Sequence, residues 1–249
     1  MMKKWLGTAA LIVFGFGLAF GLADIGVRLA NHWYPYFYCY DDHRGWGLNP
    51  GAHGWYRREG VAYVRINHDG FRGPDYPQDK PPGVIRIAVI GDSYVEAMQV
   101  AEDKTFTAVI GRELRNCPRL KGKRIEAMNF GVDGYGTAQE LITLRRKVWQ
   151  YSPDIVVLGI FLGNDVRNNS VALEGDRCRP FYRYHDGGLS LTGPLVESPA
   201  YRMWCAARFD YRDLRFVGLF KNTWEAITQG AAAPTAAYPV ERAINYNIY

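Results

Sequence analysis

Residues 84–93 have the sequence VIRIAVIGDS, an apolar run that stops at a glycine and is followed by an aspartate and a serine. A short apolar run bounded in this way is typical of a strand buried on both faces. Two similar runs follow, IEAMNF at residues 125–130 and IVVLGIF at residues 155–161. Segments with apolar residues at helical spacing separate the three runs. The alternation predicts an α/β domain in three layers, with helices covering both faces of a parallel sheet.

The first intervening helix is expected around residues 106–114, and the second is expected to begin near Thr137. The spacing Thr137-x-x-Glu140 predicts a capping box, in which each side chain bonds to the backbone N–H of the other residue. Further along, the sequence of residues 182–191 predicts a hairpin that turns at an Asp-Gly-Gly tripeptide.

Another apolar segment lies at the N-terminus, where Lys3 and Lys4 precede an uncharged run from Trp5 to Ala23. A helix needs about 20 such residues to cross a hydrocarbon core. A cleaved signal peptide, cut after residues 21–23, and a buried core helix are the alternatives. The apolar pattern continues past that cleavage site, which favours an uncleaved transmembrane signal-anchor over residues 1–30. The two lysines place the N-terminus in the cytoplasm, so we expect a single-pass protein of the cell membrane with an extracytoplasmic α/β domain.

Between the anchor and the first strand, residues 31–83 are rich in Gly, Pro, Asp and aromatic residues. This composition predicts an irregular lead-in with short strands, and the α/β domain is then expected over residues 84–249. The formal net charge is +5, from 30 Lys and Arg against 25 Asp and Glu, and the basic residues are scattered along the chain. A nucleic-acid binder concentrates basic residues on one face, so nucleic acid is not an expected partner.

The chain has four cysteines, Cys39, Cys117, Cys178 and Cys205, and export would place them in an oxidising environment. Four cysteines allow three sets of pairs, and the pair Cys178–Cys205 is favoured only because both residues lie in the C-terminal third. Four unpaired thiols that act as small core residues are the open alternative. The sequence contains no Cys-x-x-Cys pair and no His/Cys cluster, so neither a metal nor a cofactor is expected.

Small and polar residues follow each predicted strand, at the edge of the sheet where ligands of open parallel sheets bind. The first strand leads into Gly-Asp-Ser93, the second into a glycine-rich segment that contains Gly134, and the third into Gly-Asn164-Asp. A hydroxyl can attack an acyl carbon, and a glycine N–H and a carboxamide can hold the oxyanion that forms. The three segments together therefore indicate acyl-transfer chemistry.

These segments resemble the conserved blocks of the SGNH hydrolases, also called GDSL esterases. The resemblance rests on Gly91-Asp92-Ser93, on a glycine five residues after an asparagine (Asn129 to Gly134), and on Gly163-Asn164-Asp165. The segment at residues 67–73, Asn-His-Asp-Gly-Phe-Arg-Gly, also looks like the lead-in of membrane-anchored bacterial members. The resemblance covers about residues 40–190.

The resemblance implies Ser93 as the nucleophile and a flavodoxin-like SGNH hydrolase domain. The oxyanion hole would be formed by the N–H of Ser93, the N–H of Gly134 and the side chain of Asn164. Asp92 and Asp165 would organise the loops rather than take part in the chemistry.

A serine nucleophile needs a base, which in this family is the histidine of a C-terminal Asp-x-x-His. None of the five histidines has an aspartate three residues before it, and none follows His185. The sequence favours a chain that ends before this block. Two alternatives are a substitute histidine, for which His185 and His68 are poor candidates, and a non-catalytic protein that lacks the base.

The sequence therefore favours an exported, membrane-anchored serine ester hydrolase whose substrate is an acyl ester of a small molecule or a polymer. The alternative is a membrane-tethered module that binds acylated cell-surface polymers without catalysis. The fold does not decide which ester is the substrate.

Overall fold

The computed structural model describes residues 2–29, 36–57 and 59–210. The described residues divide into two compact units, of which one holds the N-terminal helix and the other holds residues 36–56 and 61–210. The part of the predicted α/β domain beyond Asp210 and the first residues of the predicted lead-in lie outside the described residues.

The N-terminal helix, α1, extends from Met2 to Leu29. Several of its large apolar side chains are exposed, among them Trp5, Leu11, Val13 and Phe14. Among the described residues, no helix combines the length and the mean hydropathy that crossing a membrane requires.

The lead-in forms two antiparallel hairpins. In the first, β1 (Tyr38–Asp41) pairs with β2 (Gly45–Leu48), and in the second, β3 (His53–Tyr56) pairs with β4 (Ala62–Arg65). The short strands predicted in the lead-in are thus present. The lead-in is more regular than its composition indicated.

The three apolar runs form one parallel sheet, as predicted. Strand β5 (Val84–Gly91) lies in the centre, and the helix α2 (Ser93–Glu96) follows it directly. After α3 (Phe106–Arg115), strand β6 (Arg124–Gly131) pairs in parallel along one side of β5. After α4 (Thr137–Arg146), β7 (Ile155–Leu158) pairs in parallel along the other side. The carboxyl ends of all three strands therefore lie at one edge of the sheet.

Helices pack on both faces of β5, as expected for an α/β domain, but the side chains of the edge strand β7 are mostly exposed, so the predicted burial of this strand on both faces is wrong. Alternate residues of a strand point to opposite faces, and β5 contributes Ala88 and Ile90 to one core and Ile87 and Val89 to the other. Leu144 of α4 packs on the first core, and Ile110 of α3 packs on the second. The apolar β5 sequence is thus explained by burial on both sides.

The start of α4 differs from the prediction. Gly136, not Thr137, is the N-cap, and Gln139 Oε1 accepts a hydrogen bond from the Gly136 N–H at 3.3 Å. The Thr137 hydroxyl instead accepts a hydrogen bond from the side chain of Asn169. The carboxyl of Glu140 is buried and has no hydrogen-bond partner among the described residues. The predicted capping box is therefore wrong, because a tertiary contact takes the hydroxyl that would have capped the helix.

After β7 the chain forms α5 (Asp165–Asn168), the hairpin β8 (Phe181–His185) and β9 (Gly188–Thr192), and the helices α6 (Pro194–Glu197) and α7 (Pro199–Asp210). The hairpin turns at its Asp-Gly pair, as predicted. A disulfide joins Cys178 to Cys205 of α7. Of the pairings that the sequence left open, the structure has this one, and Cys39 and Cys117 are free.

Candidate active site

Ser93 is the first residue of α2, at the carboxyl end of the central strand. The helix lies close over the strand ends because glycines leave room for it. A Cβ on Gly131 would lie 2.3 Å from the Glu96 nitrogen, and one on Gly91 would lie 2.3 Å from a methyl carbon of Val95. The Ser93 side chain is half-buried, and its hydroxyl bonds to no other described residue. The packing of α2 therefore places the Ser93 hydroxyl at the edge of the sheet without a hydrogen-bond partner among the described residues.

The two aspartates beside the predicted site residues organise backbone, as expected. Asp92 is the N-cap of α2, and its Oδ1 accepts a hydrogen bond from the Tyr94 N–H at 3.0 Å. Asp165 Oδ2 accepts a hydrogen bond from the Phe161 N–H at 2.7 Å, which closes the turn after β7. The second oxygen of each carboxylate, Asp92 Oδ2 and Asp165 Oδ1, is buried without a hydrogen-bond partner among the described residues.

Gly134 lies in the loop after β6 with a φ of +72°, a left-handed conformation that favours glycine. This loop is tied to both neighbouring elements. Asp133 donates its N–H to Glu96 Oε1 of α2 at 3.1 Å, and Asn168 of α5 donates to the Gly134 carbonyl at 3.3 Å. The loop thus connects the helix that carries Ser93 with the helix that follows Asn164.

Asn164 is the N-cap of α5, and its side chain is half-buried. Its Oδ1 is enclosed without a hydrogen-bond partner among the described residues, and its Nδ2 donates to none of them. The N–H groups of Ser93 and Gly134 are likewise without an acceptor in that part of the chain. The structure therefore brings the three predicted site residues to one edge of the sheet and leaves three donors free there.

The described histidines do not complete a catalytic pair with Ser93. His185 lies at the hairpin turn, mostly exposed, with its Nδ1 2.9 Å from Asp186 Oδ2. His68 is also exposed and lies 2.9 Å from Asp75 Oδ2. Among the described residues no histidine bonds to the Ser93 hydroxyl, and His32 lies outside them.

Two buried glutamates near the strand ends have unusual acidity. Glu96 accepts a hydrogen bond from the Tyr38 hydroxyl at 2.9 Å, and burial together with Asp133 raises its pKa to about 8. Burial, followed by the charges of Asp165 and Asp92, raises the pKa of Glu140 to about 8. Both glutamates therefore hold their protons more tightly than an exposed glutamate does, because they are buried close to other carboxylates.

Sequence reasoning missed several residues that shape this site, namely Trp46, Glu96, Asn168 and Arg179. Trp46 and Arg179 contact the Gly134 loop from positions far along the chain. No motif or spacing signals such contacts, because they arise only when distant elements pack together.

A hydroxyl can attack an acyl carbon and free donors can hold the resulting oxyanion, and groups of both kinds lie at this edge of the sheet. Comparison of the chain with protein-family models and with curated proteins found no match.

Proposed function

We propose that this protein is a serine ester hydrolase of the SGNH type, with Ser93 as the nucleophile. The proposal rests on one observation above all. At the carboxyl edge of the parallel sheet, the Ser93 hydroxyl occurs with three donors that bond to no described residue, which are the N–H groups of Ser93 and Gly134 and the Asn164 amide. The flavodoxin-like order of elements expected of such a domain is part of the same proposal.

In the proposed reaction, the Ser93 oxygen attacks the carbonyl carbon of an acyl ester and transfers its proton to a base. The carbonyl oxygen becomes an oxyanion and accepts hydrogen bonds from the N–H groups of Ser93 and Gly134 and from Asn164 Nδ2. The ester C–O bond then breaks, the alcohol leaves with a proton, and an acyl-enzyme remains. Water hydrolyses this acyl-enzyme, which releases the acid and restores the Ser93 hydroxyl.

The base determines how fast this chain can react. No described histidine bonds to Ser93, and a nucleophile without its base loses most of its rate. We therefore expect slow acylation that a small added base such as imidazole accelerates. The same observation favours one alternative, a non-catalytic module that binds acylated cell-surface polymers through the free donors.

The proposal includes export and attachment to the cell membrane. Two observations support it: the apolar sequence of α1 after Lys3 and Lys4, and the Cys178–Cys205 disulfide, which needs an oxidising compartment. Retention of the chain in the membrane fraction after an alkaline carbonate wash is expected. Release into the wash would contradict attachment through α1.

The nucleophile is tested with a fluorophosphonate probe, which reacts covalently with activated serines. We expect slow labelling of the full chain that rises with imidazole, and no labelling of Ser93→Ala with or without imidazole. Ser190→Ala, on the exposed hairpin, is the matched control and should label like the parent chain.

Equal labelling of Ser93→Ala would exclude Ser93 as the nucleophile. No labelling of the parent chain with imidazole present, combined with saturable binding of an acetylated polysaccharide, would favour the binding module.

A further inference from the structure

The peptide groups around Gly134 are almost all engaged in hydrogen bonds. The Asp133 N–H donates to Glu96 Oε1, and the Tyr135 N–H donates to the Val132 carbonyl at 3.2 Å. The Gly134 carbonyl accepts from Arg179 Nη1 at 3.1 Å and from Asn168. The Gly134 N–H is the exception, since it has no acceptor among the described residues. The loop therefore holds the Gly134 N–H in place and leaves it free to donate to a ligand.

The orientation of that N–H is set by the other end of its own peptide. Trp46, in β2 of the lead-in, donates its indole Nε1–H to the Asp133 carbonyl at 2.9 Å. The described residues contain no cis peptide, so the Asp133 carbonyl and the Gly134 N–H point in opposite directions across one planar group. A bond that fixes the carbonyl therefore fixes the N–H, and it also polarises the N–H as a donor.

We propose that Trp46 is a positioning residue, which aims the Gly134 N–H at the oxyanion from the far side of its peptide. This inference rests on the proposed function, because it deepens the account of the same oxyanion hole. It assigns the lead-in hairpin a part in the chemistry, although Trp46 and Asp133 are 87 residues apart.

The indole itself is held firmly enough to do this. Its ring lies under the Arg179 guanidinium, with 4.9 Å between the guanidinium carbon and the ring centroid. It also meets the Tyr135 ring edge-on at 5.8 Å, a contact between rings that does not need the Tyr135 hydroxyl. A Cβ at Gly134 would lie 3.5 Å from Trp46 Cζ2, so the ring lies directly against the loop.

The test compares two variants of the full chain. Trp46→Phe keeps an aromatic ring but removes the bond to the Asp133 carbonyl. Tyr135→Phe removes a different bond between the same hairpin and the same loop, and serves as the matched control. We expect fluorophosphonate labelling of Ser93, with imidazole present, to fall about tenfold in Trp46→Phe, less than loss of a whole oxyanion donor. Labelling of Tyr135→Phe should stay within about twofold of the parent chain.

A second measurement observes the peptide group between Asp133 and Gly134 directly by NMR, and it does not depend on catalytic activity. Labels of ¹³C on aspartate carbonyls and ¹⁵N on glycines select the Asp–Gly peptides, which occur at residues 69–70, 133–134 and 186–187. In Trp46→Phe the 133–134 signal should shift while the other two stay, and in Tyr135→Phe it should move much less.

An unchanged 133–134 signal in Trp46→Phe would overturn the inference whatever the labelling shows. Equal labelling of the two variants would also overturn it, because a merely structural hairpin predicts that result. If the parent chain is not labelled at all but the signal shifts only in Trp46→Phe, the proposed hydrolase fails while the orienting role of Trp46 stands.

Discussion

Glu96 is the residue at which three parts of the site meet. Its carboxyl accepts hydrogen bonds from Tyr38 of the lead-in and from Asp133 of the Gly134 loop, and its backbone belongs to α2. Arg72, also from the lead-in, donates to the Glu96 carbonyl at 2.9 Å. A buried carboxyl with a raised pKa thus joins the lead-in, the Gly134 loop and α2.

The raised pKa of Glu96 predicts a pH dependence of stability. Its pKa is about 8 in the folded chain against an ordinary value of 4.5, so the folded state holds the proton more tightly than the unfolded state does. Stability from this group is complete below pH 4.5 and is lost as the pH rises toward 8. Urea unfolding should show a free energy of unfolding that decreases between these values.

Glu96→Gln mimics the protonated carboxyl and should make this dependence less steep, and the dependence that remains should come from Glu140, whose pKa is also about 8. Glu113→Gln, on the exposed face of α3, is the matched control and should keep the slope of the parent chain. An equally steep slope in Glu96→Gln would show that Glu96 does not hold its proton in this range.

Among the elements, α2 depends on close packing of its backbone against Gly131 at the end of β6. A methyl group at Gly131 would approach the Glu96 nitrogen and the Val95 carbonyl carbon to 2.3 and 2.6 Å, and backbone cannot yield as a side chain does. Gly131→Ala should therefore displace α2 and destabilise the fold by about 1–3 kcal/mol, with loss of Ser93 labelling.

Gly175→Ala is the control for this substitution, since a Cβ there meets nothing within 4 Å. Urea unfolding and fluorophosphonate labelling of both variants check the prediction. A Gly131→Ala chain as stable and as reactive as Gly175→Ala would mean that α2 does not need this close approach.

The elements also show what sequence could and could not predict. The runs that became β5 and β6 were evident, because parallel strands buried on both faces are continuously apolar. The equally apolar run of β7 forms an edge strand whose side chains are mostly exposed. The placement of Ser93, Gly134 and Asn164 at one edge followed from that topology. The capping box at Thr137 was wrong, and the role of Trp46 was not visible, because both depend on contacts between residues distant in sequence.

For the molecule as a whole, the disulfide stabilises the part of the chain that follows the sheet. It joins residues 27 positions apart, next to Arg179, whose guanidinium holds the Gly134 carbonyl. Replacing both Cys178 and Cys205 with serine should cost about 3 kcal/mol of unfolding free energy. Replacing the free Cys39 and Cys117 instead should cost clearly less, as measured by urea unfolding.

Thiol alkylation of the purified chain offers a check that is independent of stability. Two cysteines should react in the unfolded chain before reduction, and four should react after it, if the chain has passed through an oxidising compartment. Four reactive thiols before reduction would contradict both the disulfide and the proposed export.

The contact between Trp46 and Asp133 joins two segments that the ribosome synthesises at different times. Ribosomes add about 5–20 residues per second, so the indole emerges roughly 4–17 seconds before the carbonyl that it must bind. During that interval the β1–β2 hairpin is a nascent segment without its partner, and a lone two-stranded hairpin is at best marginally stable in water. The β1–β2 hairpin therefore lacks this stabilising contact until the chain has been synthesised as far as residue 133.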